Sequence, residues 1–493
     1  MKITVSYPPI PDAKAEPMLG QQRQFQYFEK PTFNLPVIPA TLATNLDVAG
    51  YDVTWDDSLA EQRTYTDWLR HITNLAPDVM FIESKTPVIK KHWGIISDLK
   101  RETPSTRIVL MGDHPTAFPT ESMVNCPVDF VMDGGLYDFK GVELVEFLSG
   151  KKRQLPTGFY YRQNDEVKYS GKSSEHFDMN SLPLIDRDLT KWWLYATENG
   201  NFKYRPGAYT MFGRDCWYRT GGGCTFCSWT ITYPTFLVKS VDKALDEVSH
   251  LVKNYGIREI FDDTGTFPTG IWLKKFCQGM IRRGLNKEVR IGCNMRVAAL
   301  SRSEYELMHK AGFRFILYGI ESANQKTLDM LNKGVEADSQ LPSIRDAAHA
   351  GLDPHITVMF GYPWENKDEV KRTLTLGTEM VRKQYAKTWQ VTIVIPYPGT
   401  VLFDQCKKNN WLTTENWDDY DMRRPIMKTP LDPEEIMDVV QQFYGVAFSP
   451  EFILRRIGSV RSIDDLKYIW FGFKKVLGHK EDFAVEQLRS SKA

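Results

Sequence analysis

Two tracts of this sequence alternate short β-branched runs with amphipathic helical stretches, and that pattern restricts the chain to parallel sheets covered by helices. In the first tract the candidate strands are Ile3 to Ser6, Asp52 to Trp55, Val79 to Glu83, Arg107 to Met111 and Phe130 to Met132. Helical stretches lie between them near Ile38 to Ala49, Tyr65 to Asn74, Ile89 to Arg101 and Val142 to Ser149. This predicts an α/β, Rossmann-like doubly wound parallel sheet over residues 1–150. In the second tract, strands at Tyr209 to Gly213, Glu259 to Asp262, Arg290 to Cys293, Phe313 to Tyr318, His355 to Gly361 and Gln390 to Ile395 alternate with helices. Six such βα units predict a partial (β/α)6 TIM-like barrel over residues 206–405. Residues 151–205 read as a connector containing a hairpin, Gly158 to Arg162 and Glu166 to Ser170. Residues 406–493 read as a helical C-terminal domain, with an acidic first turn at Asp432-Pro-Glu-Glu and amphipathic stretches near Glu451 to Ile457 and Ile463 to Val476. A cap over the barrel, carrying Trp411, Trp417, Tyr420, Tyr444 and Trp470, is the expected role of this piece, and plain core packing is the other.

In both architectures chemistry gathers beyond the carboxyl ends of the strands. After the first barrel strand comes Cys216-Trp-Tyr-Arg-Thr-Gly-Gly-Gly-Cys224-Thr-Phe-Cys227, which places three of the seven cysteines within twelve residues. Thiols this dense on a glycine-rich loop suit a soft metal centre, an iron-sulfur cluster or zinc. A closed site takes four ligands, and no fourth Cys and no His lies between Arg205 and Asp242, so a cluster here keeps one iron open. The competing readings are a buried reduced cysteine group and a zinc site completed by remote Cys277 or Cys293, neither of which shows a Cys-x-x-Cys or His partner pattern. The other strand ends carry Asp262-Asp263-Thr264-Gly265, Asn294 and Arg296, Gly319-Ile-Glu321-Ser322, Gly361-Tyr-Pro-Trp and Pro396-Tyr-Pro-Gly-Thr400. In the first tract the equivalent turns are Tyr7-Pro8-Pro9, Ser84-Lys85-Thr86, Gly112-Asp113-His114 and Asp133-Gly134-Gly135. Their glycines permit close approach to a flat or phosphorylated ligand, although turn chemistry accounts for any one of them taken singly.

Charge and composition narrow the partners. Lys+Arg and Asp+Glu number 62 each, and zero net charge gives a nucleic-acid-coating role no support. No stretch of about 18 uninterrupted apolar residues predicts a membrane span. Proline at Pro8 and Pro9 breaks the N-terminus too early for a signal peptide. The remaining cysteines, Cys126, Cys277, Cys293 and Cys406, form no disulfide framework, which fits a reducing compartment and a cytoplasmic protein.

The segment Cys224-Thr-Phe-Cys227-Ser-Trp, preceded by Gly213-Arg214-Asp215-Cys216, resembles the cluster loop of radical S-adenosylmethionine (SAM) enzymes. The order Pro8-Pro9, Leu35-Pro-Val-Ile-Pro-Ala-Thr-Leu-Ala, Gly50-Tyr-Asp-Val, Gly112-Asp-His-Pro-Thr resembles the N-terminal cobalamin-binding domain of the cobalamin-dependent (class B) group. Here seven residues separate the first two cysteines, where the family spacing is Cys-x3-Cys-x2-Cys. The resemblance implies a [4Fe-4S] cluster on Cys216, Cys224 and Cys227, with SAM at the open iron. It places the SAM amino group at Asp262, Asp263 and Thr264, the carboxylate at Arg296, the ribose at Glu321 and Ser322, and adenine beside Phe226. It places cobalamin against Pro9, Ser84, Thr86, Gly112, Asp113, His114, Gly134 and Gly135. The Asp-x-His-x-x-Gly motif is absent, since Pro115-Thr116-Ala117 follow His114, so the corrin would lack a histidine lower ligand; Gly134-Gly135 stands where the family has Gly-Glu.

The implied activity is methylation of an unactivated sp3 carbon by way of a 5′-deoxyadenosyl radical and methylcobalamin. The substrate would be a small molecule or a peptide or protein residue, with the glutamine of methyl-coenzyme M reductase as one specific expectation, and the electron donor a flavodoxin- or ferredoxin-type protein. No catalytic side chain is assigned. The alternatives are a cobalamin-free radical SAM enzyme of carbon-carbon coupling or cyclisation, which the missing histidine motif favours, and a non-catalytic zinc- or nucleotide-binding module.

Overall fold

A computed structural model describes residues 1–11, 16–18, 26–28, 32–164, 166–173, 177–197 and 202–482. The N-terminal sheet is built from β1 (Lys2–Tyr7), β2 (Asp52–Asp57), β3 (Val79–Glu83), β4 (Arg107–Met111) and β5 (Phe130–Met132), all parallel, in the order β2-β1-β3-β4-β5. Every residue of β3 is buried, as expected of a central strand with helices on both faces. The connector hairpin, β6 (Phe159–Gln163) and β7 (Glu166–Tyr169), continues this sheet: β6 runs antiparallel to β5, with Val131 opposite Tyr160. Two short helices, Asp113–Ala117 and Pro119–Asn125, follow β4 without a signal in the periodicity, because five to seven residues hold too few turns to write an apolar stripe. Gly112, at φ 132°, opens the first of them; a Cβ there would lie 1.9 Å from the Ser84 carbonyl oxygen, so only glycine lets these two strand-end loops touch.

The second sheet comprises β8 (Gly207–Thr210), β9 (Glu259–Asp262), β10 (Arg290–Met295), β11 (Phe313–Glu321), β12 (Asp353–Phe360) and β13 (Thr388–Ile393). They are parallel and in chain order, an open half-barrel. The first strand ends earlier than the sequence pattern suggests. Phe212 N–H is drawn to the Asp262 carboxyl at 2.6 Å and Gly213 N–H to Thr264 Oγ1 at 2.8 Å, so the chain leaves the sheet and Gly213–Arg214 pairs with Leu237–Val238 instead.

Helix Pro433–Gly445, with a capping box between Asp432 and Glu435, packs on the outer strand, where the Tyr444 hydroxyl meets the Val391 N–H at 3.0 Å and its carbonyl at 3.2 Å. The last helix, Ile463–Asp482, crosses the amino ends of the barrel strands: Asp464 pairs with Arg258 at 3.2 Å, Asp465 with Lys203, and Tyr468 lies under Arg314. This helix thus forms a floor opposite the cysteine loop, whereas Trp417, earlier in the C-terminal piece, packs against His114 and Phe118 beyond the N-terminal strand ends. Among the described residues no helix is long and apolar enough to cross a membrane.

The two sheets are joined by Arg214 and Asp138, 2.8 Å apart with side chains 1% and 0% exposed, and by Trp417 donating to Glu121 at 2.9 Å. Truncating one partner of a buried pair strands the other charge. Arg214→Ala should therefore destabilise the protein by roughly 3–5 kcal/mol in denaturant unfolding, and the double change Arg214→Leu/Asp138→Leu should recover much of that loss.

Candidate active site at the carboxyl ends of the barrel strands

The seven residues between Cys216 and Cys224 are accommodated by a 3-10 turn, Trp217–Gly221, closed by Gly222 at φ 88° and followed by Gly223 at φ 73°. Two polar clamps hold this loop. The Arg219 guanidinium bonds Asp215 at 2.7 Å and the carbonyls of Trp229, Thr230 and Tyr233 at 2.7, 2.7 and 2.5 Å. From the far side, Asn332 Nδ2 donates to the carbonyls of Gly221 and Gly223 at 2.9 and 2.7 Å. Cys216, Cys224 and Cys227 consequently line one cavity. Among the described residues no three His, Cys, Asp or Glu side chains converge tightly enough to grip a single metal ion. A four-iron cluster places its three thiolates on three different irons, and three soft donors facing one space fit that demand.

Cations gather around the thiols. Arg296 Nη1 lies 4.0 Å from Cys224 Sγ, its guanidinium 3.6 Å from the centre of the Tyr218 ring, and it also donates to the Lys333 carbonyl. Lys333 Nζ pairs with Glu321 at 2.6 Å, both buried. Burial pushes the Cys224 thiol up, with Lys333 and Arg296 pulling the other way. Burial works against the Lys333 charge, and Glu321 and Cys224 outweigh it, so the ammonium is held above its ordinary value. Glu321 adopts φ 62°, and a Cβ on Gly319 would meet its carboxylate at 2.2 Å, so that glycine leaves the room Glu321 occupies. Tyr218 and Lys333 complete this group. Nothing in the sequence marks Tyr218, because the insertion that carries it has no periodic pattern.

The other residues singled out from the sequence divide into two sets. Phe226, Arg296 and Glu321 line the cavity with Gly265, Thr266 and Asn294. Asp262, Asp263, Thr264 and Ser322 lie behind it. Asp262 and Thr264 tie β9 to the Phe212-Gly213 turn, and Asn294 Nδ2 donates to Asp263 at 3.2 Å and to the Thr264 carbonyl at 3.0 Å. The Ser322 hydroxyl donates to Glu365 at 2.6 Å in a buried network with Asn324 and Thr327.

The cavity has a volume of about 900 Å³ and extends from the cysteine loop to the floor helix. That is the upper part of the range of roughly 300–1,000 Å³ usual for ligand sites. Its walls are mostly apolar, with Phe261, Phe315, Leu317, Met359 and Val394 pointing inward. Asn294 Oδ1 and the Tyr397 hydroxyl are buried on these walls without a hydrogen-bond partner among the described residues, which leaves them to orient a bound molecule.

The N-terminal strand ends face this region but are closed. Pro9, Ser84 and Thr86 are buried; the Ser84 hydroxyl bonds His92 at 2.6 Å. His114 is enclosed between Thr86 at 3.2 Å and Glu121 at 3.0 Å, its ring packed against Trp93, Phe118 and Trp417. Asp113 accepts the His114 N–H at 2.8 Å, and burial raises its carboxyl. Gly135 N–H donates to the Thr232 carbonyl at 2.7 Å, a Cβ on Gly134 would lie 3.2 Å from that same oxygen, and one on Gly135 3.0 Å from the Tyr233 ring. Gly399 sits as closely on Ala117.

Residues 211–377 match the family described as the radical SAM superfamily. Over 405 residues the chain is 28% identical to an uncharacterized methyltransferase of Pyrococcus horikoshii, a match covering 80% of this chain and 83% of that one. It is 24% identical over 419 residues to the anaerobic magnesium-protoporphyrin IX monomethyl ester cyclase of Cereibacter sphaeroides, covering 83% of this chain and 66% of the cyclase. Among solved structures, the radical S-adenosylmethionine methyltransferase TsrM from Kitasatospora setae, with cobalamin and a [4Fe-4S] cluster bound, superposes with a TM-score of 0.69. That match covers 98% of this chain and 99% of TsrM at 13% identity, a likeness of fold.

Burial raises the Asp262 carboxyl from its ordinary 3.8 to about 7. The folded state therefore binds this proton more tightly than the unfolded chain, and the stability so gained is full below about pH 4 and lost as pH rises through 7. Denaturant midpoints measured from pH 4 to 8 should fall across that window in the wild type, with a shallower slope in Asp262→Asn.

Proposed function

We propose, from the match of residues 211–377 to the radical SAM superfamily, that this chain methylates an unactivated sp3 carbon as a cobalamin-dependent radical SAM C-methyltransferase. The observation that carries the reading is that Cys216, Cys224 and Cys227 line the same apolar cavity as Arg296 and Glu321. When bound, the [4Fe-4S] cluster supplies the electron that cleaves SAM to a hydrogen-abstracting 5′-deoxyadenosyl radical, and cobalamin supplies the methyl group. The chain's own residues position and shield. Arg296, braced by Tyr218, offers its guanidinium to the SAM carboxylate, Glu321 faces the ribose hydroxyls, Asn294 Oδ1 accepts from the amino group, and Phe226 gives adenine an apolar surface. Asp262, Asp263, Thr264 and Ser322 hold the strand ends in place behind them. The apolar walls exclude water from the reacting carbon. They suit an apolar portion of a substrate, while His355, Thr357, Gln390 and Thr392 on the same lining offer it polar partners. A flavodoxin- or ferredoxin-type protein is the electron donor in this reading.

A second reading, cobalamin-free radical coupling or cyclisation, is favoured by one observation: the direct packing of Gly134-Gly135 on Thr232 and Tyr233. Anaerobic reconstitution with iron, sulfide and hydroxocobalamin separates the two. We expect about four irons per chain, reductive cleavage of SAM, and loss of both in Cys216→Ala, Cys224→Ala and Cys227→Ala. About one bound cobalamin supports methyl transfer. An intact cluster without cobalamin moves the assignment to coupling or cyclisation, and a protein that binds no iron overturns both.

A further inference from the structure

The floor of the cavity also gathers seven of the sixteen exposed large apolar side chains among the described residues. On helix Pro450–Gly458, Leu454 and Ile457 are 70% and 65% exposed. On helix Ile463–Asp482, Ile463, Leu466, Trp470 and Phe473 follow one another at helical spacing on one exposed stripe, with Leu466 and Trp470 56% and 59% exposed. Ile453, Ile457, Leu466, Trp470 and Phe473 belong at the same time to the cavity lining, so this patch is the rim of the cavity and runs into its interior. Contiguous exposed apolar side chains of this kind mark an interaction surface.

Charge says what covers it. Arg455, Arg461, Lys467 and Lys474 are exposed on the same two helices and the link between them. Among the acids there, Asp464 and Asp465 are turned inward onto Arg258 and Lys203 at the barrel floor, and Glu451 is paired with Arg455 at 2.7 Å, so the outward positive charge comes from Arg461, Lys467 and Lys474. Lys474 lies over the Trp470 ring at 5.3 Å, the amphipathic pairing suited to a headgroup boundary. Two helices with aliphatic and indole groups on one side and interleaved basic groups are built to lie in the plane of an anionic lipid surface.

We propose that helices Pro450–Gly458 and Ile463–Asp482 dock on an anionic lipid bilayer, and that the cavity opening between them takes an elongated, lipid-like substrate from that bilayer toward the cysteine loop. The substrate half of this inference rests on the radical SAM reading; the docking half does not.

The test is flotation of the iron-loaded protein with vesicles of phosphatidylglycerol mixed with phosphatidylcholine, against phosphatidylcholine alone. Lys467→Glu/Lys474→Glu and Leu454→Glu/Ile463→Glu probe the charge and the apolar row; none of these four residues lines the cavity, so iron content should stay unchanged in both variants and serves as the check on folding. We expect binding to the anionic vesicles about tenfold or more above the neutral ones, falling with salt and lost in either variant. Equal or absent binding to both vesicles by iron-replete protein overturns the proposal. So does a dimer, seen by light scattering, that Leu454→Glu/Ile463→Glu dissolves, since a second copy then covers the patch. Failure of the radical SAM reading would show separately, as protein that takes up no iron.

Discussion

A half-barrel of six parallel strands is an unfinished object. Its two outer strands have unpaired edges and both of its ends are open. Much of the rest of the chain answers that constraint. The Tyr444 hydroxyl takes up both polar groups of Val391 on one outer strand. The floor helix lies across the strand amino ends through Arg258, Lys203 and Arg314. The cysteine loop and the N-terminal sheet cover the carboxyl ends, tied through the buried pair Arg214 and Asp138. What remains between these covers is the apolar cavity, so the same incompleteness that needs closing creates the space for chemistry.

Holding reactive thiols over that space is a problem of loop rigidity. Glycine at Gly222 and Gly223 turns the chain, but glycine alone leaves a loop with many conformations. Arg219, through three carbonyls, and Asn332, through two, remove that freedom. Arg296 and Lys333 then surround Cys224 with positive charge, which favours the thiolate needed for ligation against the burial that opposes it.

The fold was largely legible because strands buried on both faces and helices with one apolar stripe write their periods into the sequence. β3, β4, β5 and β9 begin and end where the pattern places them. The short helices after β4 and the early exit of the chain at Phe212 were not legible, the first for want of length and the second because it depends on Asp262 and Thr264, fifty residues away. The site was half legible. Cysteines, Arg296, Phe226 and Glu321 reach the cavity, whereas Asp262, Asp263, Thr264 and Ser322, equally polar and at equivalent strand ends, spend their hydrogen bonds on neighbouring loops.

The sequence by itself determined the parallel sheets, the glycine-rich thiol loop and the carboxyl-end location of the polar residues, because these follow from local periodicity and from spacing along the chain. Only the tertiary structure decided which polar residues face the cavity, that the C-terminal helices lie under the barrel with an apolar row turned outward, and that Trp229–Tyr233 close the N-terminal strand ends. Those outcomes rest on contacts between segments tens to hundreds of residues apart, and the energy of such a contact is set by packing that no local pattern encodes.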